Sequence, residues 1–218
     1  KTNLIEKVLK EKVVLYTRPR RFGKTLNMSM LYYFFSNKEK ENAYLFDGLN
    51  ISKNKEALKH QNQYPVIFIS LKDMKESKIE NQLVKFSYII ARLLDQFEDI
   101  LDDYIFNERE KKLLKRYHLN TASKNELSES LLTISLCLRK YYHQKVIILI
   151  DEYDVPLDKA FQYGYYDEMV MLIRGLFGNA LKTNSNLFFA MLTGCLRVSK
   201  ESIFTGLNNF NIYSITNV

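Results

Sequence analysis

The chain is 218 residues long and 46% apolar by count, enough for one sizeable core and marginal for two. Charged residues at 26% and aromatics at 13% exclude intrinsic disorder, while only seven glycines and three prolines exclude a collagen-like or linker-rich chain. The net charge of +7 is uneven: residues 1–60 hold 13 Lys/Arg against 6 Asp/Glu, and residues 61–218 hold 19 of each. A basic field confined to the N-terminal end suits a polyanion, either a phosphate tail or nucleic acid.

The longest aliphatic run, Val146 to Ile150, falls far short of the roughly 20 apolar residues that a bilayer crossing needs. No signal-peptide core opens the chain, and position 1 is Lys, which implies a trimmed sequence or part of something longer. Cys137 and Cys195 have no metal-type spacing, so neither a disulfide framework nor a metal cluster is expected and a reducing cytoplasm is the default. His60, His118 and His143 are scattered singly and read as surface or core-satisfied histidines.

In chain order, Lys12 to Thr17 reads as a short buried strand that runs into a turn at Arg18-Pro19. From Gly23 to Ser36 apolar side chains cover most of a helical surface, which predicts a well-buried helix. Pro65 to Ser70 reads as a second strand with Pro at its first position. Ser77-Lys-Ile-Glu80 has the form of a capping box and opens an apolar-periodic helix through Phe97. Asp99 to Asp103 and Asn107 to Arg116 are charge-rich and predict exposed helix or a helical connection. Ser123-Lys-Asn-Glu126 is a second capping box, before a helix marked by Leu127, Leu131, Ile134, Leu138 and Tyr141. Val146 to Ile150 is a third strand and Leu187 to Leu192 a fourth, both apolar throughout, as central parallel strands are. Between them Pro156 to Lys182 is helical with a break near Gly164, and Asn211 to Thr216 begins a fifth strand. The alternation predicts an α/β fold, a mainly parallel sheet with helices on both faces.

Gly23-Lys24-Thr25 ends a Walker A sequence, Arg18 to Thr25, between a buried strand and a helix. The amides of Arg20, Arg21, Phe22, Gly23, Lys24 and Thr25, with Leu26 at the helix start, would surround a β-phosphate. Lys24 would reach the β- and γ-oxygens, and the Thr25 hydroxyl would ligate Mg²⁺. The full pattern asks for glycine at position 18, where this chain has arginine. Val146 to Ile150 then leads into Asp151-Glu152, the Walker B form, at the carboxyl end of a strand where open parallel sheets bind ligands. Asp151 would hold Mg²⁺ beside Thr25, and Glu152 would polarise the attacking water. Asp154 competes with Glu152 for that role and is also a candidate N-cap for the helix that starts near Val155. Thr193, at the end of the fourth strand, would touch the γ-phosphate or the water. Arg197 and Lys200 follow as cations for transition-state charge.

Three blocks carry a family resemblance: Arg18 to Leu31 (RPRRFGKTLNMSML), Leu149 to Leu157 (LIDEYDVPL) and Thr193 to Phe210 (TGCLRVSKESIFTGLNNF). In this order they resemble the bacterial AAA-ATPase-like family, whose full-length members join this module to a C-terminal PD-(D/E)XK nuclease-like domain. Lys1-Thr2 resembles the tail of a short N-terminal family motif. The resemblance implies a three-layer P-loop NTPase fold of the additional-strand type, with the Thr193 strand between the two Walker strands. It also implies a large helical insertion over about 77–142, one NTPase domain over 1–218, and no nuclease chemistry in this stretch. ATP and Mg²⁺ are the implied cofactors. Nucleic acid would be a partner only through the C-terminal domain, no membrane is involved, and oligomerisation is left open. The functional readings are an Mg²⁺-dependent ATPase that switches an effector, a nucleotide-responsive scaffold, and a nucleic-acid-binding domain built on the basic N-terminal third.

Overall fold

The computed structural model describes residues 1–19, 21–101, 103–182, 184–195 and 210–213. The chain begins with α1 (Asn3–Val8), β1 (Val13–Thr17) and α2 (Lys24–Phe35), then two 3-10 turns and the single-turn α3 (Lys55–Leu58). β2 (Val66–Ser70) leads into α4 (Ile79–Asp95), α5 (Glu108–His118) and α6 (Lys124–Tyr142). β3 (Val146–Asp151), α7 (Val155–Tyr163), α8 (Tyr166–Phe177), β4 (Leu187–Gly194) and β5 (Phe210–Tyr213) complete the order.

The five strands form one parallel sheet in the order β2-β3-β4-β1-β5. β4 therefore lies between β1 and β3, and each loop leaving a strand emerges at the same edge of the sheet. Because strand side chains alternate, each central strand feeds two cores. Val13, Leu15, Ile148, Ile150, Ala190 and Leu192 face a core made with α4 to α8. Val14, Ile147, Leu149, Phe189 and Met191 face a second core with α1 and α2, where Phe34, Phe35 and Phe46 pack edge to face. Both faces of the sheet are thus covered, as the apolar strand runs require.

Two of the predicted helix starts and one predicted break can be compared with local chemistry. Ser123 and Glu126 form a complete reciprocal capping box at the start of α6, and Asn107 and Glu110 form another at α5. The charge-rich stretch Asn107 to Arg116, expected to be exposed helix or a helical connection, forms most of α5 and still buries Leu114. Gly164, at φ 83°, makes the expected break between α7 and α8. The capping box expected at Ser77 does not form. α4 starts one residue later, with Lys78 at the cap position and no side-chain cap, so Glu80 cannot stand three residues after the cap. Burial drives the later start: Ile79 packs into the core, and the buried Gln82 amide donates to Met74 O (3.1 Å) and to the Tyr165 hydroxyl (3.0 Å). α4 also stops at Asp95, short of Phe97. α2 buries Met28, Leu31, Phe34 and Phe35, but Leu26 and Tyr33 stay exposed, so it is a one-sided helix and not a fully enclosed one. No helix among the described residues is long and apolar enough to cross a membrane.

Candidate functional site

β1 ends at Thr17, and the loop that follows enters α2 at Lys24. Two of its described residues are left-handed, Arg21 at φ 67° and Gly23 at φ 73°. Left-handed residues within a turn aim successive N–H groups inward, the geometry of an anion-binding nest. Gly23 costs little in this conformation, whereas Arg21 carries strain on the order of 1–2 kcal/mol. Gly23 is also the cap of α2 and supplies no side chain, so no side-chain cap competes for the first amides of the helix.

Arg18, where the sequence pattern asks for glycine, needs no left-handed backbone. Its N–H donates to Gly194 O (3.2 Å), and its guanidinium lies 4.8 Å over the Tyr16 ring and donates to Thr17 O (3.2 Å). The side chain thus folds back along β1, which explains why a bulky residue is accommodated there. Lys24 is buried, and its ammonium donates to Arg18 O (2.8 Å), Pro19 O (3.0 Å) and Cys195 Sγ (3.2 Å).

Asp151, at the end of β3, is the hub of the site. It is 2% exposed, and its carboxylate accepts three hydrogen bonds. Thr25 Oγ1 donates to one oxygen at 2.7 Å, while Thr193 Oγ1 and the Glu152 amide (3.0 Å) donate to the other. Such bonds supply what water would otherwise give a buried charge. Thr193 is fully buried in β4. Glu152 follows at φ 54°, a second strained non-glycine residue, and with Arg21, Gly23, Lys24, Thr25 and Leu26 it lines an open cavity of about 510 Å³. A neighbouring cavity of about 370 Å³ runs from the same loop to α1, past Leu4, Val8, Tyr16 and Phe22 with Asn3 and Asn27.

Hydrogen bonds therefore join Thr25, Asp151 and Thr193, and Lys24 and Thr25 share one cavity with Glu152, Arg21, Gly23 and Leu26. Phe22 is exposed on the neighbouring cavity. Arg20, Arg197 and Lys200 lie outside the described residues. Among the described residues no group of three or more His, Cys, Asp or Glu is arranged as a metal cluster. Asp154 stands at the cap position of α7 but makes no side-chain cap bond; it is 5% exposed and accepts from the Cys195 amide at 2.9 Å. Sequence reasoning missed Gly194 and Cys195. A Cβ at Gly194 would come within 2.7 Å of Asp154 Oδ1 and of the Tyr153 ring, so this glycine is set by close approach. Its position directly after Thr193 was the available signal. Cys137 is different in kind: burial pushes its thiol up to about 12, as befits an inert core residue.

A parallel α/β sheet with a nest-forming loop between its first strand and helix, facing a buried Asp on a neighbouring strand, defines a phosphate-loop type of α/β protein. The chain belongs to the AAA-ATPase-like family described as Predicted AAA-ATPase, whose profile matches residues 1–204, and this membership points to nucleotide binding. A relative from Azotobacter chroococcum mcd 1, described as "Uncharacterized protein in vnfD 5'region", is 27% identical over 203 residues, covering 91% of this chain and 33% of the relative. The chain thus spans about a third of the length of the curated relative it matches. No solved structure matches it with statistical significance.

Proposed function

We propose that the chain is a P-loop NTPase module of the additional-strand type that binds ATP with Mg²⁺, hydrolyses it slowly, and uses the cycle to switch an attached or partner effector. The observation that carries this reading is the Asp151 carboxylate shared between Thr25 of the phosphate loop and Thr193 of β4. One acid joined to both elements, beside Lys24, is what a site for a triphosphate tail requires. The position of β4 between β1 and β3 supports the additional-strand assignment. The helices between Ser77 and Tyr142 are then an insertion packed on one face, within one domain over 1–218.

The loop amides and the uncapped start of α2 would hold the β-phosphate, with the Lys24 ammonium on its outer oxygens. The Thr25 hydroxyl and the Asp151 carboxylate are hard oxygen donors of the kind Mg²⁺ takes. Mg²⁺ bound there would neutralise charge on the phosphate oxygens. Glu152 lines the same cavity and would orient a water and accept its proton. Thr193 acts through Asp151, holding its carboxylate in place. The nucleoside end fits the 370 Å³ cavity, whose wall combines Tyr16 and Phe22 with the amides of Asn3 and Asn27. Arg197 remains the candidate for neutralising transition-state charge.

A non-hydrolysing, nucleotide-responsive module is favoured by one feature: protein acceptors engage all three Lys24 donors, so binding must displace them. The effector, nuclease-like by family resemblance, would belong to another part of the full-length protein or to a partner, in the cytoplasm. Glu152→Gln separates the readings. For an ATPase it keeps ATP affinity and lowers phosphate release by about 100-fold or more. Unchanged release in that variant contradicts the role of Glu152, and tight ATP binding without release in the parent favours the scaffold.

A further inference from the structure

At the third and fourth strands, four hydrogen bonds knit the loop ends into a ring. The Tyr153 amide donates to Thr193 O (3.0 Å), and the Cys195 amide donates to Asp154 Oδ2 (2.9 Å). The Arg18 amide donates to Gly194 O (3.2 Å), and Lys24 donates to Cys195 Sγ (3.2 Å). Gly194 sits so close to Asp154 and Tyr153 that a side chain there has no room. Asp154 is unusual within this ring. It occupies a helix cap position where an acid would ordinarily bond the free amides of α7, yet its carboxylate turns toward β4 and is almost wholly buried. A buried carboxylate that forgoes its own helix and accepts from a neighbouring strand's last turn fixes that turn.

We infer that Asp154 is a positioning residue: it ties the Gly194–Cys195 turn to the end of β3, and through that turn sets where Arg18 and Lys24 stand in the phosphate loop. The inference rests on the nucleotide-site reading above and assigns Asp154 a different role from Glu152. Glu152 lines the open cavity, whereas the Asp154 carboxylate is spent inside the protein. An asparagine at 154 keeps a carbonyl oxygen to accept the Cys195 amide, while an alanine does not. A water-directing acid would show the opposite sensitivity, because asparagine cannot accept the water's proton.

The test combines hydrogen exchange of the Cys195 amide by NMR, which needs no nucleotide, with ATP affinity and phosphate release on the same proteins. Asp154→Ala is expected to speed exchange at Cys195 by about tenfold or more and to weaken ATP binding by about tenfold, as loss of the acceptor that holds this amide implies. Asp154→Asn is expected to restore both to within about threefold of the parent, with turnover retained. A general loss of stability would speed exchange throughout the sheet and would leave the affinity of the folded fraction unchanged. Exchange at Cys195 that is unchanged in the alanine variant overturns the tie. An asparagine variant with parental affinity and no turnover overturns the positioning role and makes Asp154 the water-directing acid. That variant decides the question alone if the alanine protein does not fold. A parent that binds no ATP overturns the nucleotide reading and the link to Lys24, and the exchange rates then judge the tie by itself.

Discussion

The helical block from α4 to α6 and the loop edge of the sheet solve opposite problems. α5 and α6 open with complete capping boxes and send Leu114, Leu127, Leu131, Ile134 and Leu138 into the core at helical spacing. The starts of α5 and α6 agree with the global fold, and the left-handed Asn120 and His143 fall just past the helix ends, where such a turn closes a helix; only the start of α4 departs from its local signal. At the sheet edge the local rules are broken repeatedly. Arg21 and Glu152 are left-handed, Asp151 and Asp154 are buried acids, and the helix after Gly23 has no side-chain cap. Strain and buried charge of this sort persist only where the surroundings hold them and gather where chemistry is done. The contrast teaches that stability and function in this chain are written in different regions and should respond separately to mutation.

The largest stability effect is expected in the block. Ile134→Ala removes a fully buried side chain from α6 and should cost about 2–5 kcal/mol in urea unfolding, with ATP affinity unchanged for the folded protein. A change in affinity from that substitution would erase the separation. Gly194→Ala tests the other region: its Cβ would meet Asp154 and Tyr153 at 2.7 Å, so the strand end must shift. A cost of about 1–3 kcal/mol is expected, with a larger fractional loss of ATP affinity than any block variant shows. Arg21→Gly should move stability the other way by a net gain of about 1 kcal/mol or less, because glycine accepts φ 67° without strain but frees the unfolded chain. Nucleotide affinity should survive that change if the loop binds phosphate through its amides, and calorimetry reads both effects.

The smallest effect is a pH dependence at the α6 cap. The Ser123 amide, with its hydroxyl and Arg116 in support, holds the Glu126 carboxyl below the usual carboxylate range. A folded pKa that is depressed gives stability present above the unfolded value of 4.5 and lost as pH falls through the folded one. Glu126→Gln should therefore flatten the fall in urea midpoint between about pH 6 and about pH 3, by a few tenths of a molar at most. An unaltered acid limb would show that the capping box contributes nothing measurable.

Much of this was legible in advance, for identifiable reasons. The uninterrupted apolar runs at Val146–Ile150 and Leu187–Leu192 announce buried parallel strands, and Gly164 announces a break, because burial and backbone sterics act locally. Lys24, Thr25, Asp151 and Thr193 could be named from spacing and strand ends, and hydrogen bonds join the last three, while Lys24 turns to Arg18, Pro19 and Cys195. Ser77 misled because cap patterns mark only where a helix is able to start. The burial of Ile79 and Gln82, a tertiary matter, moved the start by one residue. Asp154 and Cys195 were out of reach for the same reason. Their pairing spans two strand ends far apart in sequence, and an acid before a helix reads as a cap until the neighbouring strand is in place.

The central claim is that Lys24, Thr25 and Asp151 form a nucleotide site, and calorimetric titration of ATP with Mg²⁺ tests it most directly, run on the parent and on Lys24→Ala with phosphate followed in the same samples. The account predicts saturable binding by the parent, loss of that binding in Lys24→Ala, and slow phosphate release from the parent alone. Equal binding by both proteins, or none by either, would contradict it.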